Sequence, residues 1–219
     1  ALRVAIGLYA VWYVATRFDM ILGLASNDPH LYTPAGPLRW LATPPSVEVT
    51  RAVLFATVAT GLSFILGLGH RISGVAFAVS LLFTLSFRNS WSMVYHMHNG
   101  LVVHVVVLGL ARSADAWSID AWIRSRRVGV DGIPPASSNY SWPIRACCAA
   151  VAVQYLLSGI AKVVGPDGFA WATGAVMREQ VATDTVRKVV LETAEMRLVF
   201  NVYDHLSAFA AMGVLTLVL

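Results

Sequence analysis

Apolar residues in this chain fall in long blocks separated by short polar or proline-bearing stretches. They do not follow the period-two alternation of half-buried strands. Blocks of about 20 residues suit helices that cross a bilayer. A membrane barrel would show weaker alternating segments of about ten. Five blocks stand out, at 4–24, 49–68, 72–87, 92–110 and 144–160, and a sixth begins near 199 and runs off the end. The expected fold is all-α, a polytopic transmembrane helical bundle of about six spans, the last incomplete, forming one domain over residues 1–219. Both ends lie beside or within apolar blocks, so a piece of a longer protein is expected.

The connections refine this pattern. The stretch 26–48 holds Pro29, Pro34, Pro37, Pro44 and Pro45, a density that excludes a regular helix. Its Tyr32 and Trp40 suit a segment resting at headgroup level. Only Gly69-His70-Arg71 separates the second and third blocks, so these must form an antiparallel hairpin. The fourth block is polar and aromatic at its start, with Tyr95, His96 and His98, and apolar beyond. Residues 111–143 read as a loop, with an interfacial turn near Ser118-Ile119-Asp120-Ala121-Trp122. Residues 165–196 are polar and amphipathic.

Composition supports the membrane reading. The chain is 57% hydrophobic and 13% charged, with a mean hydropathy of +0.65. Soluble domains carry about 25% charged residues. The net charge of +4 comes without a continuous basic tract interleaved with aromatics, so no nucleic-acid partner is expected. The arginines serve topology instead. Arg3, Arg71, Arg112, Arg124, Arg126, Arg127 and Arg145 fall on one side of the alternating spans, and Arg39, Arg51 and Arg88 on the other. The loop with Arg124, Arg126 and Arg127 is therefore expected in the cytoplasm, and Lys162 toward the non-cytoplasmic side of a cell or inner membrane. Cys147 and Cys148 are adjacent, and neighbours on a helix point about 100° apart, so they read as small core residues rather than a disulfide.

Few groups offer chemistry. Lys162 closes the fifth block. It reads either as an anchor that snorkels to the membrane edge or as a base whose amine is brought down by desolvation from its ordinary value of about 10.4. His96 and His98 are two apart and diverge on a helix, while His96 and His104 roughly share a stripe. Their spacing is not that of a helical metal site, so no metal is expected and a hydrogen-bonded polar network is the better reading. Arg17, with Asp19 two residues on and Tyr13 one turn back, is placed to bind an acidic head group or to mark a helix end. Asp204 and His205 sit at the start of the sixth block, where acidic residues suit a helix N-terminus. A serine elbow, a helical metalloprotease motif and a CxxC pair are all lacking from the sequence.

Several segments together resemble one family. They are the opening Arg3-Val4-Ala5-Ile6-Gly7-Leu8-Tyr9; the hairpin Leu66-Gly67-Leu68-Gly69-His70-Arg71-Ile72-Ser73; Arg88-Asn89-Ser90 with the histidine and asparagine segment behind it; and an aspartate followed by Trp117-Ser118-Ile119-Asp120. The most specific is Tyr155-Leu156-Leu157-Ser158-Gly159-Ile160-Ala161-Lys162, with Trp171 and Gly174 beyond. Across nearly its whole length the chain is similar to the horizontally transferred transmembrane (HTTM) family, related to the membrane part of vitamin K-dependent gamma-carboxylase.

The resemblance implies a quinol-type or lipid-like substrate that enters between helices. Lys162 matches the second lysine of the carboxylase pair, the base that deprotonates the reduced quinone, and Ala161 stands where the first would be. His98, beside Asn99, is the counterpart of a histidine that assists this chemistry. The catalytic candidates are thus Lys162 and His98, the substrate-binding candidates Arg17, Asn99, Tyr155 and Trp171, and the cofactor a vitamin K- or menaquinol-like reduced quinone. Nothing in these residues corresponds to the carboxylase's large domain outside the membrane, so a protein carboxylase proper is not expected. A quinol-dependent membrane enzyme is set against a non-catalytic scaffold that binds a membrane or extracytoplasmic protein partner. A transporter is a third class, without the paired broken helices such proteins use.

Overall fold

The computed structural model describes residues 1–91, 94–128, 137–191 and 205–218, all of them helical or in turns and loops. Asp204 and the start expected for the sixth block lie outside the described residues. The helices are α1 (Leu2–Thr16), α2 (Phe18–Leu24), α3 (Val47–Leu66), α4 (His70–Asn89), α5 (His96–Leu110), α6 (Ile119–Val128), α7 (Ser138–Val164), α8 (Ala175–Val190) and α9 (Leu206–Val218). Three of them, α3, α4 and α7, are long and apolar enough to cross a membrane. The first apolar block is α1 and α2 together, bent by 59° at Arg17, and makes a fourth span if the bend lies within one crossing. The blocks expected as fourth and sixth spans are the shorter apolar helices α5 and α9. The chain therefore has the helices of an integral membrane bundle, three or four of them of spanning length among the described residues.

The described residues fall into two compact units, Ala1–Ala150 and Val151–Leu219. In the first, α1 and α4 each pack against both α3 and α5. Val14, Leu54, Phe64, Phe77, Leu81 and Val105 fill the space between them. The helices meet through small residues, as expected where lipid removes most of the hydrophobic incentive to associate. Gly74 of α4 lies against Gly109 of α5 so closely that a methyl group on Gly74 would sit 2.8 Å from the Gly109 Cα. Hydroxyl pairs tie α3 to α4, with Thr57 and Thr84 at 3.0 Å and Thr60 and Ser80 at 3.2 Å.

The expected hairpin is present, and its turn explains its tightness. Gly67 and Gly69 both adopt left-handed backbone, at φ 64° and 55°, a conformation that costs glycine little. Helix ends leave backbone groups unpaired, and two charged side chains meet that need here. The buried Arg3 guanidinium, 3% exposed, donates to the Phe64 carbonyl, to Ile65 at 2.7 Å, to Trp117 at 2.7 Å and to Ser113 at 3.3 Å. Asp120 accepts from the first N–H groups of α4, Gly69 at 3.0 Å and His70 at 2.9 Å.

The proline-rich stretch holds two short 3-10 turns, Pro29–Leu31 and Gly36–Trp40. The stretch read as a loop from 111 to 143 contains α6, an amphipathic helix rather than a single turn. In the second unit, α8, α9 and the 3-10 turn Gly168–Trp171 pack on one another, with Phe209 buried and Asp184 paired to Lys188.

The hydrogen bond from the His70 N–H, then that from Gly69, holds the Asp120 carboxyl below its ordinary range. Such a group stabilises the fold above its unfolded pKa of about 3.9, and the stabilisation is lost as pH falls through the lower folded value. Asp120→Asn is expected to cost about 1 kcal/mol near pH 7. Unfolding in mixed micelles from pH 7 to pH 3 should show the gap from wild type closing at the acid end.

Candidate functional site

At the other end of α1 from Arg3, three helices contribute to one buried hydrogen-bonded chain. His98 lies in the first turn of α5 and is 1% exposed. Its Nδ1 is 2.7 Å from Asn89 Oδ1, at the last residue of α4, and its Nε2 is 2.7 Å from the hydroxyl of Tyr13 on α1. The Asn89 oxygen can only accept, so Nδ1 carries the proton and donates. Nε2 is then a lone pair, and the Tyr13 hydroxyl donates to it. Both imidazole nitrogens are engaged, as burial in low dielectric demands. The rings of Tyr13 and Tyr95 stand edge-on to the imidazole, with centroids at 5.3 and 5.2 Å.

Two guanidinium groups flank this chain. Arg17, in the break between α1 and α2, lies 4.3 Å from the centre of the Tyr13 ring. Arg88, one residue before Asn89, lies 5.0 Å from the ring of Tyr95 and 6.0 Å from that of Tyr13. The ion pairs among the described residues involve Asp115 and Asp184, and neither Arg17 nor Arg88 takes part in them. Nε and Nη1 of Arg88 are buried with no acceptor among the described residues. Two positive charges beside a polarised phenol, with no ion-paired carboxylate among the described residues, favour an anionic oxygen at this place. The chain of Tyr13, His98 and Asn89 can pass a proton between a phenolic oxygen and an imidazole nitrogen.

The site residues expected from sequence divide between the two units. His98 and Arg17 join this cluster. Asn99 does not; it follows His98 on the helix and its side chain is exposed. Asn89 takes the place beside the imidazole. In the second unit, Lys162 lies in the last turn of α7, half-buried, with Nζ 5.2 Å from the centre of the Trp171 ring. Tyr155, two turns earlier on α7, is 64% exposed. His96 is exposed, and His104 turns its Nδ1 to the Gly100 carbonyl at 2.6 Å. Among the described residues no three His, Cys, Asp or Glu side chains converge as a metal site would need.

Tyr13, Asn89, Arg88 and Tyr95 are the functional candidates that spacing alone does not select. Tyr13 and His98 are 85 residues apart. The one local signal is that Tyr13 stands one turn before Arg17, which places the two side chains on the same face.

No family model, no curated protein and no solved structure matches the chain.

Tyr13→Phe leaves a buried imidazole lone pair without a donor, which costs about 1–3 kcal/mol. Asn89→Leu does the same to the Nδ1 proton. Unfolding of single and double variants in detergent should show Tyr13→Phe with His98→Leu costing less than the two alone, because the pair shares one interaction. Simple additivity would mean that the hydrogen bond does not exist.

Proposed function

We propose that the chain is a membrane enzyme of the HTTM type acting on a reduced quinone or a similar lipid-like substrate. The observation that carries this reading is the buried chain of Tyr13, His98 and Asn89 beside two guanidinium groups without a carboxylate partner among the described residues. A quinol that loses a proton becomes an anionic oxygen on an aromatic ring. Arg17 and Arg88 supply the charge to hold such an oxygen, and Tyr95 an aromatic surface beside it. The Tyr13 and His98 pair supplies a path for the proton. The family resemblance gives Lys162, in the second unit, as the general base; within that unit Trp171 would hold its ammonium group when protonated, and Tyr155 is the exposed aromatic residue two turns earlier on α7. The quinol would then react with oxygen, as the family resemblance implies, and the strong base formed would act on a second substrate.

The arginine-rich face bearing Arg124, Arg126 and Arg127 is placed in the cytoplasm on the arginine count, with Lys162 toward the opposite side. A second reading rests on α7. Tyr155, Leu156 and Leu157 form a stretch about 60% exposed, which suits a bundle that presents this helix to a membrane or extracytoplasmic protein partner without performing a reaction.

Menaquinol added to the purified chain in detergent distinguishes the two. Saturable binding and oxygen-dependent quinol oxidation are expected, with oxidation lowered at least roughly 100-fold in Lys162→Ala and binding weakened in Arg88→Gln. Circular dichroism should show that both variants retain their helices. Absence of binding, or oxidation indifferent to Lys162, would leave a snorkelling lysine and the partner-binding bundle as the better account.

A further inference from the structure

Away from the Tyr13 and His98 cluster, at the face where Arg3 and Asp120 tie the helix ends, the first unit has a cleft of about 610 Å³. This is within the range of small-molecule sites, about 300–1,000 Å³. The start of α4, the end of α5 and the start of α6 form its walls, and its charged lining is Arg71, Arg112, Arg124, Asp115 and Asp120. Three guanidinium groups face two carboxylates, which leaves one positive charge. The carboxylates are already engaged. Asp120 caps α4. Asp115 pairs with Arg112 at 2.7 Å, accepts from the Tyr140 hydroxyl at 2.8 Å, and lies 3.6 Å from Arg124. Arg71 is exposed and takes no part in the ion pairs among the described residues.

The remaining lining is apolar and open to the surroundings of the helices. Ile72 is 79% exposed and Leu110 67%, with Val75 between them and half-exposed. Helix α6, which supplies Asp120 and Arg124, is amphipathic and carries an exposed Trp122 with Arg126 stacked on its ring at 4.7 Å. Tryptophan and arginine on such a helix fix its depth at the headgroup level. The cleft thus joins a net positive charge at headgroup depth to an apolar wall directed into hydrocarbon. His70 forms part of the wall of the cleft and is held by the end of α5. It is 6% exposed and lines the cleft; its Nε2 is within 3.2 Å of the Leu108 and Ala111 carbonyls, while its Nδ1 is buried with no partner among the described residues.

We propose that this cleft holds the phosphodiester headgroup of an anionic phospholipid, with its acyl chain lying along Ile72, Val75 and Leu110. One negative charge on a phosphodiester matches the one unbalanced positive charge of the lining. Basic pockets beside transmembrane helices bind anionic headgroups on this principle. Arg71, outside the ion pairs among the described residues, and Arg124, 3.6 Å from Asp115, are the two groups able to turn to the phosphate.

The test uses the full chain in mild detergent, with dioleoylphosphatidylglycerol and dioleoylphosphatidylcholine as probes and bound lipid counted by native mass spectrometry. The phosphatidylglycerol should be retained about tenfold more tightly. Arg71→Gln with Arg124→Gln should abolish that preference, and Arg126→Gln with Arg127→Gln, outside the cleft, should preserve it. Arg71→Gln alone, at an exposed position, supplies the same comparison if the double variant does not fold. Equal retention of the two lipids would overturn the proposal, as would equal loss in both double variants, which would show only diffuse charge. Displacement of the lipid by millimolar inorganic phosphate would identify a free anion as the occupant and overturn it as well.

Discussion

The first unit depends on buried side chains that pair polar groups at the ends of its helices. Within a bilayer an unpaired donor or acceptor has no solvent to turn to. The four helices α1, α3, α4 and α5 meet this demand at both ends with side chains from distant positions. At one end Arg3 takes carbonyls from the close of α3 and from the segment after α5, and Asp120 takes the opening N–H groups of α4. At the other end His98 joins α5 to α4 through Asn89 and to α1 through Tyr13. About ten residues of α1 separate the two knots, roughly 15 Å of helix, and the space between is closed by hydrocarbon side chains and by glycines that let α4 and α5 touch.

The knots differ in what they leave over. Around Arg3 and Asp120 the hydrogen-bonding capacity of the charged groups is spent on backbone, so that end reads as structural framework, with the basic cleft beside it. Around His98 the imidazole is satisfied, but Arg17 and Arg88 bring two charges that meet aromatic faces and, among the described residues, no carboxylate. Charge held near low dielectric without a counter-ion is unfavourable unless a ligand or the membrane surface balances it. That surplus is the physical ground for reading this end as the functional one. Lys162 and Trp171 form a separate polar contact in the second unit.

Much of the helical layout was legible in the sequence, because apolar blocks and their glycine or proline boundaries report directly on helix ends. Gly67 and Gly69 mark the hairpin turn through the left-handed backbone only glycine adopts freely. Helix α6 was hidden by its length and polarity: ten residues rich in arginine resemble a loop when read for hydrophobic blocks. That a helix ends at Arg17 was one of the two readings its charge offered, but the 59° bend that follows was hidden, because neither proline nor glycine marks it. In the site, His98 stood out as a histidine beside an apolar run. Its partners did not, since Tyr13 and Asn89 sit on other helices at separations that no helical period relates. Asn99 drew attention through adjacency, yet neighbours on a helix point about 100° apart, and the buried position of His98 turns Asn99 outward.

The central claim is that His98 is a neutral, buried imidazole with its proton on Nδ1 and its Nε2 lone pair held by the Tyr13 hydroxyl, beside the place proposed for a quinol. Nitrogen-15 NMR of the histidine-labelled chain in detergent reads that tautomer directly. The account predicts one imidazole in the Nδ1–H form whose Nε2 signal moves when Tyr13 becomes Phe, and moves again when menaquinol is added to the wild-type chain. A His98 spectrum showing the proton on Nε2, or one unchanged by both the substitution and the quinol, would contradict it.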